Sequence, residues 1–159
     1  MHKRPKKFTI GRRELVDFPE FELFEVEAKI DTGAYTSALH CTDIREEKLE
    51  DGTIVIRCKF MDESHPNYNN RLFEFREFAL RDIKNSFGDV QQRYVIKTGI
   101  RFFEKIIHAE FSLSDRSDMR YPVLIGRVLL NRHFIVDVSR KNVAYKKRLR
   151  LKRKKEGLI

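Results

Sequence analysis

The chain holds only two cysteines, Cys41 and Cys58, in 159 residues. That is too few for a disulfide framework, and their spacing is not that of a zinc site. Both therefore read as buried free thiols in a reducing, cytoplasmic setting. No run approaches the roughly 18–20 consecutive apolar residues that a membrane-spanning helix needs. The basic start MHKRPKKFTIGRRELV has no apolar segment behind it of the kind a secretion signal carries, so a soluble chain with no membrane partner is expected. H-E-x-x-H is missing, as is G-x-x-x-x-G-K-[ST], and the five histidines (2, 40, 65, 108 and 133) are scattered. Neither a metal site nor a cofactor is expected from such a sequence. Helical periodicity is also scarce, which turns attention to strands.

What is present suits one β-rich domain. A length of 159 residues with 41% apolar content and 13 Phe supplies a real core. In FELFEVEAKI (21–30), Phe24, Val26 and Ala28 alternate with Glu25, Glu27 and Lys29, the period-2 pattern of a half-buried strand ending at Ile30 and Asp31. TIVIRCKF (53–60) follows Asp51-Gly52, a hairpin turn signal, and alternates in the same way. The segments 72–80, 93–98, 102–113, 122–125 and 134–138 read as further strands, separated by the turn-forming stretches DESHPNYNN, NSFGD and SDRSD. Six to nine strands result. After PVLI (122–125), Gly126 breaks the run and RVLLNRHF suits one or two helical turns.

Charge divides the chain. Of the net +9, residues 1–13 supply six positive charges and residues 140–155 supply ten, so the remainder carries −7. The expected layout is a basic N-terminal segment (1–13), a folded domain (14–145) and a basic C-terminal tail (146–159). A run such as KKRLRLKRKK either is simply solvated or makes weak, salt-sensitive contact with nucleic acid or a ribosome.

Two stretches carry the chemistry. Asp31-Thr32-Gly33-Ala34 follows a strand, and about ninety residues later comes Ile125-Gly126-Arg127 with Leu129-Leu130. Asp-Thr-Gly alone is ordinary turn chemistry. The pair together resembles the retropepsin-like aspartic protease family, which carries D-T-G-A after a strand and a hydrophobic-Gly-Arg segment leading into a short helix. The order IGRRELV, AKIDTGAYTSALH, RYVIKT and LIGRVLLNRHFIVD is similar to a bacterial subfamily labelled ATP-dependent zinc proteases, found alongside ATP-grasp glutamate ligases. Neither the zinc nor the ATP of that label has a motif here.

The resemblance implies an all-β, retropepsin-like barrel with one short helix after the Gly-Arg motif, and an aspartic endopeptidase acting on peptide or protein substrates. Paired carboxylates share one proton and so supply both acid and base. One chain has one D-T-G, so a homodimer is implied, with Asp31 facing its own copy. Asp31, Thr32 and Gly33 would be the catalytic residues, with Thr32 bonding across the axis and Gly33 admitting substrate backbone. Ala34 would line the cleft, and Ile125, Gly126 and Arg127 would support it. The loop 85–92, with Ser86, Phe87 and Gly88, reads either as a flap over substrate or as an ordinary hairpin. Where the family places an acid after D-T-G-A to pair with the arginine, this chain has Tyr35, so Arg127 needs another acceptor. Two other functions fit the same residues: a noncatalytic module of this fold that partners a peptide ligase or a ribosomal protein, and a metal-dependent protease.

Overall fold

The computed structural model describes residues 6–84, 87–117 and 120–157. Eleven strands lie among them: β1 (Phe8–Ile10), β2 (Arg13–Phe18), β3 (Leu23–Ile30), β4 (Ser37–Lys48), β5 (Ile54–Phe60), β6 (Phe73–Phe75), β7 (Ala79–Lys84), β8 (Val90–Phe102), β9 (Lys105–Ser114), β10 (Val123–Ile125) and β11 (Phe134–Val136). Helix α1 is Arg127–Leu130 and helix α2 is Val143–Lys155. Six strands close on themselves in the order β10-β3-β2-β8-β9-β4, because β10 pairs β3 on one side and β4 on the other. Closure leaves these strands with no free edge. β5 and β6 extend the sheet from β4, β7 pairs β8, and β1 pairs β11 in a separate two-stranded ribbon.

The fold is the all-β, retropepsin-like barrel that the residues suggested, with a short helix after Gly126. Inward-facing Phe side chains fill it. Phe21 stacks on Phe60 with ring centroids 4.2 Å apart, and Phe18 meets Phe111 edge-on at 5.3 Å. Such pairs add about 0.5–1.5 kcal/mol each beyond the area they bury. Cys41 and Cys58 are both buried and free. Their mutual hydrogen bond, then burial, pushes the Cys41 thiol up, so it packs as an apolar side chain.

Several details differ from the pattern in the sequence. β3 has Leu23 inward and Phe24 48% exposed, because Glu25 takes a left-handed φ of 55° and the pairing with β2 slips between Val16 and Phe18. A bulge of this kind turns a side chain to the other face. The stretch 102–113 is not one strand: Phe103, at φ 57°, turns the chain between β8 and β9. The stretch 72–80 likewise divides into β6 and the start of β7.

The segment from 146, set apart as a tail, is helical to Lys155 and is fastened to the barrel. Glu14, only 1% exposed, accepts the N–H groups of Gly11, Val143 and Ala144 at 2.8, 3.0 and 2.9 Å. A carboxylate at that position satisfies N–H groups that the helix itself leaves unpaired and offsets the positive end of its dipole. Asp17, also 1% exposed, holds Arg148 of α2 at 2.6 Å and Arg101 of β8 at 3.3 Å.

Candidate active site

Asp31 is the first residue beyond β3, and its position is fixed by the sheet. β3 and β10 run parallel with Ile30 opposite Ile125, and the Asp31 N–H donates to the Ile125 carbonyl at 2.9 Å. The loop then folds on its own carboxylate. Gly33 N–H donates to Asp31 Oδ1 at 3.0 Å, and Ala34 N–H to the Asp31 carbonyl at 3.2 Å. Oδ2 has no hydrogen-bond partner among the described residues, and Asp31 is half-buried. A Cβ at Gly33 would come 3.2 Å from Oδ1, so glycine leaves that carboxylate uncrowded.

The second motif clamps the first from behind. Arg127 N–H donates to the Ala34 carbonyl at 2.8 Å, and Val128 N–H to the Tyr35 carbonyl at 3.1 Å. The start of α1 thus spends its free N–H groups on the aspartate loop. A Cβ at Gly126 would lie 2.8 Å from the carbonyl carbon and oxygen of Thr36 and from the Tyr35 oxygen, so only glycine allows this backbone approach. Gly126 N–H also donates to buried Ser37 Oγ at 3.0 Å, and Ser112 Oγ donates to the Ser37 carbonyl at 3.2 Å. Asp31, Thr32, Gly33 and Ala34 are therefore in one backbone network with Ile125, Gly126 and Arg127. The acceptor that Arg127 needs is the Thr32 carbonyl, 3.0 Å from Nη1, and the guanidinium lies 5.7 Å from the centre of the Tyr35 ring. Tyr35 thus offers its ring face to the cation in place of a carboxylate.

The loop between β7 and β8 is a hairpin. Gly88 takes the left-handed φ of 89° that the turn requires, and Phe87 is 90% exposed. Ser86 lies outside the described residues.

The sequence did not single out a cluster centred on buried His40. His40 is 2% exposed; its Nε2 is 2.6 Å from Asp62 Oδ2, and its Nδ1 accepts the Arg116 N–H at 2.8 Å. The ring proton therefore sits on Nε2 and is donated to Asp62. Hydrogen bonds from Ser64 and then His40 hold the Asp62 carboxyl down at about 2. His40 thereby anchors the segment after β9, and Arg116 Nε donates to the Tyr121 carbonyl at 3.2 Å. Burial and the neighbouring Arg93 guanidinium push the Arg116 pKa down, and the Asp31 carboxylate opposes them. Arg116 thus lies within electrostatic reach of Asp31. SDRSD reads as a turn in one dimension, and nothing in that stretch points to Asp31. Among the described residues no three His, Cys, Asp or Glu side chains are grouped to hold a metal ion, so these described residues offer no site for the zinc of the subfamily label. No helix among them is long and apolar enough to cross a membrane.

The chain is similar to known proteins. Residues 9–147 match the family model described as retropepsin-like aspartic endopeptidase RimB. A Shewanella halifaxensis protein named "Probable alpha-L-glutamate ligase" is 34% identical over 137 residues, which are 84% of this chain and 29% of that protein. A Desulfotalea psychrophila protein of the same name is 30% identical over 145 residues, 82% of this chain and 28% of its own length. The chain thus spans under a third of these curated relatives. A crystal structure of a Legionella pneumophila protein of unknown function superposes with a TM-score of 0.69 at 22% identity, covering 87% of this chain and 99% of that one, and it shows the same fold. With the aspartate loop, the Gly-Arg clamp and a match over nearly the whole barrel, this chain belongs to the RimB-like family of retropepsin-like proteins.

Proposed function

We propose that the chain is an aspartic endopeptidase whose catalytic pair is formed by Asp31 from two copies related by a twofold axis. The observation that carries this reading is a single half-buried carboxylate, held by backbone bonds on a braced loop, with one oxygen unpartnered among the described residues. Exposed apolar side chains stand on that loop and on the chain that follows the Gly-Arg motif. Tyr35 is 67% exposed, Val128 55%, Ile135 55% and Val138 73%, which suits a surface covered by a second copy.

In the dimer two carboxylates close together share one proton. The ionised Asp31 takes a proton from a water between them, and the water oxygen bonds to the scissile carbonyl carbon. The protonated Asp31 gives its proton to the carbonyl oxygen. Collapse returns that proton, the nitrogen leaves protonated, and the carbon–nitrogen bond breaks. Thr32 fixes the two loops across the axis, Gly33 admits substrate backbone, Ala34 lines the cleft, and the tip carrying Phe87 and Gly88 covers the substrate. The relatives' name supports a substrate with α-linked glutamate, as does the positive charge of Arg116 within electrostatic reach of Asp31. The reducing cytoplasm, where two buried free thiols persist, suits this activity.

The test is hydrolysis of an oligo-α-glutamyl peptide. Asp31→Asn is expected to lower turnover roughly a thousandfold or more while melting as wild type does, since Asn keeps the shape and cannot share the proton. Specific activity falls on dilution as sedimentation shows the dimer dissociating, and it persists in EDTA. Wild-type turnover by the variant, or activity from a demonstrated monomer, overturns the dyad. Equal turnover of the glutamine counterpart removes the glutamate preference and leaves the dyad standing.

A further inference from the structure

Helix α2 carries eight Lys or Arg and no acid over Val143–Lys155. Its side chains divide by what they touch. Ala144 is buried, Arg148 pairs with Asp17, and Lys147 lies 5.6 Å from the centre of the Phe103 ring. That face fastens the helix. Lys146, Arg150, Lys152, Arg153 and Lys154 are exposed, and none forms an ion pair among the described residues. Fastening α2 to the barrel thus holds these five cations along roughly 12 Å of helix. The rest of the sequence, outside residues 1–13 and 140–155, is net −7, so an anionic ligand is drawn to this end of the molecule.

Beside the cations lies a groove of about 280 Å³ between α2, β1 and the β8–β9 turn. Phe8 and Phe103 line it with ring centres 5.3 Å apart, and Lys105, Lys147, Arg148, Leu151 and one acid, Glu104, whose carboxylate pairs with Lys155, complete its walls. A row of cations next to accessible aromatic rings matches one ligand chemistry in particular. Single-stranded nucleic acid offers phosphates to the cations and an unpaired base to the rings. A duplex keeps its bases stacked inside. An acidic peptide satisfies the cations and leaves the rings without a partner. A membrane surface needs an apolar helix face opposite the basic one, and Leu151, 37% exposed, is the one large apolar side chain that α2 exposes.

We propose that the exposed cations of α2 and the Phe8–Phe103 groove form a binding site for single-stranded nucleic acid, separate from the Asp31 loop. Phosphates lie along Lys146, Arg150 and Arg153, and a base enters the groove against the rings.

The experiment is fluorescence anisotropy of the full chain with a labelled 12-nucleotide oligouridylate at several salt concentrations. Neutralising five phosphates at about 0.7 per phosphate predicts a slope of log affinity against log salt of about −3.5. The triple variant Lys146→Gln/Arg150→Gln/Arg153→Gln faces solvent and is expected to fold. It should bind at least about tenfold more weakly, with a slope of about −1. Phe103→Leu should weaken binding about tenfold and leave the slope unchanged. Because Phe103 also packs on Phe8, a measurement on the unaltered chain accompanies it: 2-aminopurine placed mid-strand is quenched when a base stacks on a ring. The site is overturned if the triple variant binds as wild type does, or if 2-aminopurine brightens on binding. It is also overturned if a duplex of equal length, a twelve-residue polyglutamate or anionic vesicles displace the oligonucleotide as effectively as unlabelled strand. Loss of peptidase activity in Asp31→Asn leaves all these readouts unchanged, so the two readings fail separately.

Discussion

Three carboxylates on neighbouring strands are treated in opposite ways. Glu14 and Asp17 on β2 are both 1% exposed and surrounded by donors: Glu14 by three backbone N–H groups, Asp17 by the Glu25 N–H and two arginines. Asp31, at the end of β3, is half-buried, and only one of its oxygens is bonded. A buried charge that is fully paired holds structure together, because removing it strands its partners away from water. A charge held on a rigid loop with an oxygen to spare is available for chemistry. The fold thus spends side chains to fasten α2 and spends only backbone to hold Asp31.

If that contrast is right, the variants separate cleanly. The largest stability effect is expected at Glu14. Glu14→Ala leaves three N–H groups, two of them buried, without an acceptor, a loss of about 4 kcal/mol, read as a fall in urea midpoint with residual circular dichroism from a frayed α2. Asp31→Asn, by contrast, should shift the midpoint by less than about 0.5 kcal/mol while removing turnover. Next is Gly126→Val, whose Cβ meets the Thr36 and Tyr35 backbone at 2.8 Å. It is expected to cost about 2–3 kcal/mol and to displace the aspartate loop, so activity and thermal stability fall together.

A smaller effect, confined to acid, is expected at Asp62. Its carboxyl is held at about 2, below its ordinary 3.8, so the stabilisation is present above about pH 4 and is lost as pH falls through 2. Asp62→Asn should flatten that acid limb of the stability curve, measured by urea unfolding from pH 2 to 7. The smallest is Tyr35→Leu, which removes a ring face from an exposed arginine and is expected to cost about 0.5–1 kcal/mol. A large effect at Tyr35, or none at Glu14, would break the comparison.

Legibility followed the range of the interactions. The period-2 segment 53–60 became β5, because alternation reports a single sheet face, and the segment 93–98 became part of β8. β1, β2 and β4 were not legible. β4 runs through the Ser/Thr-rich stretch after Ala34, and its Ser37 and His40 are buried because their polar atoms find partners far away in sequence: Ser37 in Gly126, His40 in Asp62 and Arg116. Helix α2 was hidden for a related reason. Its sequence has almost no apolar face, and what holds it are Glu14 and Asp17, more than 120 residues earlier.

The sequence by itself determined that strands dominate, that charge gathers near the two ends, and that one Asp-Thr-Gly and one Gly-Arg stretch are present to be joined. Local composition and periodicity are enough for that, since each depends on residues within a few positions of one another. Only the tertiary structure decided which carboxylates would be sealed and which left available. It set Gly126 against Thr36, gave Arg127 the Thr32 carbonyl and the Tyr35 ring, and brought Arg116 into the field of Asp31. Those pairings depend on parallel and closing strand contacts, which bring together residues that have no relation along the chain.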